Sequence, residues 1–215
     1  MLLRSIETIT HGRYLVEASK AELPLLVGFH GYAESAELQF NRLQSVEGSD
    51  RWALLSVQGL HRFYRGRSTD VVASWMTRED RELALADNTS YTTKVINTVT
   101  KEYSCANNIV LSGFSQGVAM AFRAATKLGR TIDGIIALGG DVPPELDISA
   151  LSSIRTALIG RGNNDEWYTA EKLAADERRL HEAGVQVEVF SFNAAHEWTP
   201  EFNRAAARFL KSIHP

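Results

Sequence analysis

Six short apolar runs, at residues 25–30, 52–57, 108–112, 132–138, 156–159 and 185–190, alternate along the chain with five helix-like stretches, at 35–46, 78–103, 115–128, 167–183 and 197–213. A strand that is apolar on both faces has no side to give to water, so it belongs inside a sheet that is covered twice. Strands of that kind separated by helices join through right-handed crossovers, which predicts an α/β chain with a mostly parallel central sheet and helices on both faces. Gly129 and Gly184 fall just past two of the helical stretches, where a left-handed cap is wanted. Ahead of the first run, residues 5–10 and 13–18 alternate in character around His11-Gly12 and predict an antiparallel hairpin. No repeat, low-complexity tract or Pro/Ser-rich linker divides the chain. Its 215 residues, 44% of them hydrophobic, are enough for one domain spanning 1–215.

The third run leads directly into Gly113-Phe114-Ser115-Gln116-Gly117, and the next helical stretch begins there. A strand, then G-x-S-x-G, then a helix is the nucleophile-elbow arrangement of the α/β-hydrolases. The two glycines suit a turn that brings the backbone against its neighbours, and the turn projects the serine Oγ above the sheet. The alternative is a glycine-rich strand–helix turn with an incidental serine.

A serine hydroxyl needs a base beside it, and the base needs an acid to orient it; in this fold they follow in the order Ser, Asp or Glu, His. His196 lies in Asn193-Ala194-Ala195-His196-Glu197, after the last run and at the carboxyl end of the sheet. His214 is next to the chain end, and His181 falls on a solvated helix face. Asp165 ends the loop Gly160-Arg161-Gly162-Asn163-Asn164-Asp165 and is the expected acid. It also suits the N-cap of a helix starting at Trp167, and Asp141, after the preceding strand, competes for the acidic role. An oxyanion needs preorganised N–H donors. The backbone amides of Gln116, just after the serine, and of Tyr32, in His30-Gly31-Tyr32 after the first run, are the expected pair.

Phe29-His30-Gly31-Tyr32, Ser74-Trp75, the Gly-Phe-Ser-Gln-Gly string, Asp165 and Ala195-His196-Glu197 together resemble the phospholipase/carboxylesterase family. That family groups small bacterial carboxylesterases with acyl-protein thioesterases and lysophospholipases. The resemblance implies an uncapped α/β-hydrolase without a cofactor, cleaving carboxylic esters or thioesters through an acyl-enzyme. By position, Ser115 is then the nucleophile, Asp165 the acid and His196 the base, with Tyr32 and Gln116 donating to the oxyanion. The roughly 16 residues between Gly139 and Thr156 are too few for an inserted helical cap. Four positions depart from the family pattern. Val118 and Ala195 stand where glycine is usual, and Ala33-Glu34 replaces Gly-Asp.

The stretch 58–67, with Arg62, Arg65 and Arg67 among aromatics, is expected to overhang Ser115 and receive an anionic part of the substrate, or else to be a solvated loop. Trp75 is expected as a pocket wall or as core packing. Trp167 and Trp198 flank the triad loops, where they narrow the acyl site or simply pack.

A net charge of −3 gives no broad nucleic-acid footprint. One cysteine, Cys105, fits a reducing compartment, and no run approaches a membrane span or a signal peptide, so a soluble, cytoplasmic protein with a small-molecule ester or thioester substrate is expected. The six histidines show no H-x-x-x-H or H-x-H spacing, and P-loop and dinucleotide-binding glycine patterns are missing, which argues against metal and nucleotide chemistry. The competing class is a catalytically inactive α/β-hydrolase serving as a ligand sensor or interaction module. Such a chain is expected to have lost a triad member, and here each is present.

Overall fold

A computed structural model describes residues 1–19 and 22–214. Seven strands form one sheet: β1 (Tyr14–Glu17), β2 (Leu25–Phe29), β3 (Ala53–Val57), β6 (Ile109–Phe114), β7 (Ile132–Leu138), β8 (Ile154–Gly162) and β9 (Gln186–Phe192). Their spatial order is β1-β3-β2-β6-β7-β8-β9. All neighbours run parallel except β1, which pairs antiparallel with β3 from Tyr14↔Val57 to Glu17↔Leu54.

The antiparallel start of the sheet is as expected, but its partner is not residues 5–10. Those residues form no strand, and Ile6 and Ile9 are more than 90% exposed. Three positions apart, these isoleucines fall on opposite faces of a strand and cannot share a buried side.

The apolar runs form strands because both faces are covered. Every residue of β2, β3, β6 and β7 is buried. Alternate residues serve different layers. Leu25, Val27 and Phe29 join a cluster with α2 (Arg81–Glu102), α3 (Gln116–Lys127) and α5 (Ala170–Glu182). Leu26, Val110 and Ile136 join the opposite cluster with α1 (Ala36–Gln44) and α6 (Pro200–Ile213). A short helix, α4 (Ile148–Leu151), lies between β7 and β8.

Helix α6 shows how the layers are written locally. Thr199 caps it by accepting the Phe202 N–H, and Pro200 starts it. Phe202, Ala205, Ala206, Phe209 and Leu210 then repeat on one face and are buried. Burying a side chain such as Phe202 contributes about 1.5–3 kcal/mol. Helix α5 begins later than the sequence suggests, at Ala170 behind an N-cap at Thr169, because residues 165–168 make a separate turn. Gly129 and Gly184 are left-handed, with φ of 64° and 80°, as their places after α3 and α5 require.

Residues 58–67 are not a simple loop. His61–Tyr64 forms β4, which pairs antiparallel with β5 (Val71–Ser74) in a separate two-stranded ribbon. Among the described residues no helix is long and apolar enough to cross a membrane.

Candidate active site

The elbow at the end of β6 is built by close approach. A Cβ on Gly117 would collide with the Phe29 and His30 carbonyl oxygens, and one on Gly113 with the backbone of Gly117. Between them Ser115 sits at φ 53° and ψ −121°, a conformation that costs on the order of 1–3 kcal/mol. Its N–H donates to the Leu138 carbonyl at 2.9 Å, which ties the turn to the neighbouring strand.

Asp165 leaves the end of β8 with its side chain 1% exposed. Its Oδ1 accepts the backbone N–H of Trp167 at 2.8 Å and of Tyr168 at 2.9 Å. Its Oδ2 lies 2.7 Å from His196 Nδ1. The carboxylate thus holds its own turn and the imidazole together. An ionised carboxylate only accepts, so in the neutral imidazole the proton belongs on His196 Nδ1 and the lone pair on Nε2. The loop bearing His196 is pinned by Asn163 and Asn164, whose amides donate to Phe192 and Ala194. Phe114, the residue before the serine, packs against the His196 ring with centroids 5.0 Å apart.

Ser115 and His196 line one open cleft of about 470 Å³ together with Tyr32, Met76, Gln116, Trp167, Tyr168 and Lys172. Among the described residues, neither the Tyr32 nor the Gln116 amide has a protein acceptor, so both remain available at this cleft. An imidazole with a free Nε2, a strained serine and unpaired amides in one cleft can move a proton and stabilise an oxyanion.

Asp141 also lines this cleft, but its half-exposed side chain meets Lys172 Nζ at 3.4 Å rather than His196. His181 sits on the solvated face of α5 beside Glu177, and His214 packs edge-on to Trp52.

Three expected substrate contacts do not reach the cleft. Trp75 is fully buried; its Nε1 donates to the His30 carbonyl and its ring stacks on the His30 imidazole. It is core packing, because a flat apolar ring with a satisfied N–H gains most from burial. Arg62 and Arg65, on and beside the ribbon, line a different depression with Glu37 and Asp70. Their guanidinium groups donate to the carbonyls of His11 and Ala33. Trp167 does line the cleft, 76% exposed, while Trp198 packs on Phe114 and Phe202.

Sequence reasoning missed the polar supports. The Gln116 side chain accepts the Trp75 N–H at 2.9 Å and donates to the Met76 carbonyl at 3.1 Å, clamping that segment to α3. His30 Nε2 accepts the Gly59 N–H while Nδ1 faces the Gly31 carbonyl. Burial holds its imidazole below the ordinary histidine range, so it is neutral. Both residues lay inside motifs already singled out, but nothing local marked them as clamps. Among the described residues no cluster of three His, Cys, Asp or Glu side chains forms a set of metal ligands.

The model of the Phospholipase/Carboxylesterase family matches residues 13–214, nearly the whole chain and all of the site. The chain belongs to the phospholipase/carboxylesterase family. Membership supports a hydrolase acting on ester bonds. No curated protein shows significant sequence similarity to the chain. Among solved structures, a carboxylesterase from Mesorhizobium loti superposes with a TM-score of 0.77 at 15% identity, with 95% of each chain covered. The Bacillus cereus carboxylesterase gives 0.73 at 20% identity and 94% of each chain. Arabidopsis thaliana SOBER1 gives 0.72 at 18% identity, covering 89% of this chain and 99% of its own. At these identities the likeness concerns the fold, which this phospholipase/carboxylesterase family member shares.

Proposed function

We propose that this family member is a serine hydrolase that cleaves small carboxylic esters or thioesters through an acyl-enzyme on Ser115. The observation that carries the reading is the buried Asp165 carboxylate 2.7 Å from His196 Nδ1, in the same cleft as Ser115. His196 Nε2 takes the Ser115 proton as Oγ attacks the carbonyl carbon. The Tyr32 and Gln116 amides receive the oxyanion, and the start of α3 adds its dipole. Collapse of the tetrahedral adduct expels the alcohol or thiol, which takes the proton from His196. Water, deprotonated by His196, then attacks the acyl-serine and releases the acid. Trp167, exposed on the cleft, is the aromatic wall for the acyl or leaving group. The lone cysteine, half-buried with its thiol pushed up by burial, fits a reducing cytoplasm.

Hydrolysis of p-nitrophenyl esters from acetate to decanoate, compared with Ser115→Ala, tests the proposal. Turnover that vanishes in the variant supports it, and the chain-length optimum sizes the cleft. Turnover that survives in Ser115→Ala defeats it.

A further inference from the structure

Residues 31–34 form the turn that carries the Tyr32 amide. Ala33 adopts a φ of 56°, and the turn closes with the Glu34 N–H on the Gly31 carbonyl at 3.3 Å. Three of its four amides are used inside the protein. Gly31 N–H donates to Glu34 Oε2 at 2.7 Å, Ala33 N–H to the Ala73 carbonyl at 3.0 Å, and Glu34 N–H to Gly31. Tyr32 N–H is the one left over for the cleft.

Glu34 is itself held. Arg42 on α1 grips both carboxylate oxygens, Nη1 on Oε2 at 2.6 Å and Nη2 on Oε1 at 2.7 Å, and each side chain is only 14% exposed. The same guanidinium lies 4.4 Å from the centre of the Phe114 ring and 5.7 Å from that of Trp198. Phe114 in turn packs on the His196 imidazole at 5.0 Å. One ion pair therefore touches the oxyanion turn through Glu34 and the serine–histidine side through Phe114. A fork-to-fork pair fixes orientation as well as distance, which a point charge would not do.

We infer that Glu34 and Arg42 are a positioning pair for the reaction. Glu34 consumes the Gly31 amide so that the turn presents Tyr32 N–H to the developing oxyanion. Arg42 locks that turn against Phe114 and, through its ring, the His196 loop. Neither side chain lines the cleft, so substrate affinity does not depend on them. The geometry in which the transition state is met does. The inference rests on the serine-hydrolase reading above.

The test compares Glu34→Gln and Arg42→Lys with wild type on the best p-nitrophenyl ester. It also measures inhibition by an alkyl trifluoromethyl ketone, which adds the serine oxygen and so forms an oxyanion. Glutamine keeps an acceptor for Gly31 but loses the charge, and lysine keeps the charge but loses the fork. Loss of an oxyanion donor costs about 100- to 1,000-fold in kcat, so a displaced donor is expected to cost about 10- to 100-fold. KM should stay within about two-fold, and ketone affinity should fall by the same factor as kcat. Thermal unfolding of each variant identifies the folded fraction, and Arg42→Lys, which leaves no buried carboxylate uncompensated, carries the test if Glu34→Gln does not fold. Unchanged kcat in a folded variant, or a kcat loss with ketone affinity intact, overturns the positioning role while Ser115-dependent turnover in wild type leaves the hydrolase reading standing. Absence of that turnover in wild type overturns both.

Discussion

Two loops leave the carboxyl ends of adjacent strands, each with an aspartate near its start, and they end in opposite states. After β7, Asp141 lies at the cleft and pairs with Lys172 at 3.4 Å, with both side chains about half-exposed. After β8, Asp165 turns inward, receives two backbone amides and faces His196. The strand end alone does not decide the role of a carboxylate. Backbone N–H groups do, because they compensate the burial of the charge and leave one oxygen aimed at a single partner. The β7 loop is ordered instead by the buried Asp176 on α5, which accepts the Val142 N–H at 3.0 Å and, from the β8 loop, the Tyr168 hydroxyl at 3.1 Å.

The largest difference between the loops should appear in turnover. Asp165→Asn is expected to lower kcat by about 10⁴-fold, the effect of losing the carboxylate that sets the histidine tautomer in a serine triad. Asp141→Asn should leave the rate essentially at wild type. Equal losses in steady-state kinetics on one ester would break the comparison.

Stability should separate them next. Asp165→Ala leaves the Trp167 and Tyr168 amides unpaired and is expected to cost about 1–3 kcal/mol in urea unfolding. Asp141→Ala removes only a half-exposed pair and should stay within about 0.5 kcal/mol of wild type.

Much of this was legible in the chain because it is local. The G-x-S-x-G turn needs its glycines within five positions, and β2, β3, β6 and β7 need only to be apolar throughout. What escaped depends on partners far apart or on residues without a pattern. β1 pairs with a strand about 40 residues on, β4 carries exposed His61, Arg62 and Tyr64 with no apolar alternation, and the Glu34–Arg42 grip spans a turn and a helix. Asp165 could be read as cap or as acid; the cap of α5 falls to Thr169, and the Asp165 carboxylate instead holds the Trp167 and Tyr168 amides and faces His196.

A smaller effect probes Asp176, on which Val142 of the β7 loop and Tyr168 of the β8 loop converge. Removing the hydroxyl in Tyr168→Phe should cost about 0.5–1.5 kcal/mol, with little change in KM, by thermal unfolding and kinetics respectively. The smallest is a pH effect. Burial raises Asp176 above the ordinary aspartate value of 3.8, so the folded chain keeps its proton to higher pH than the unfolded chain. This group's stabilising contribution is full below 3.8 and declines as pH rises through the folded value. Asp176→Asn should flatten that part of a stability–pH profile, and an unchanged slope would refute the assignment.

The most direct test of the whole account is mass spectrometry after treatment with an alkyl fluorophosphonate. The account predicts one adduct, mapped to Ser115, missing in Ser115→Ala and formed far more slowly in His196→Ala. A wild-type chain that stays unlabelled, or that is labelled at another residue, would contradict it.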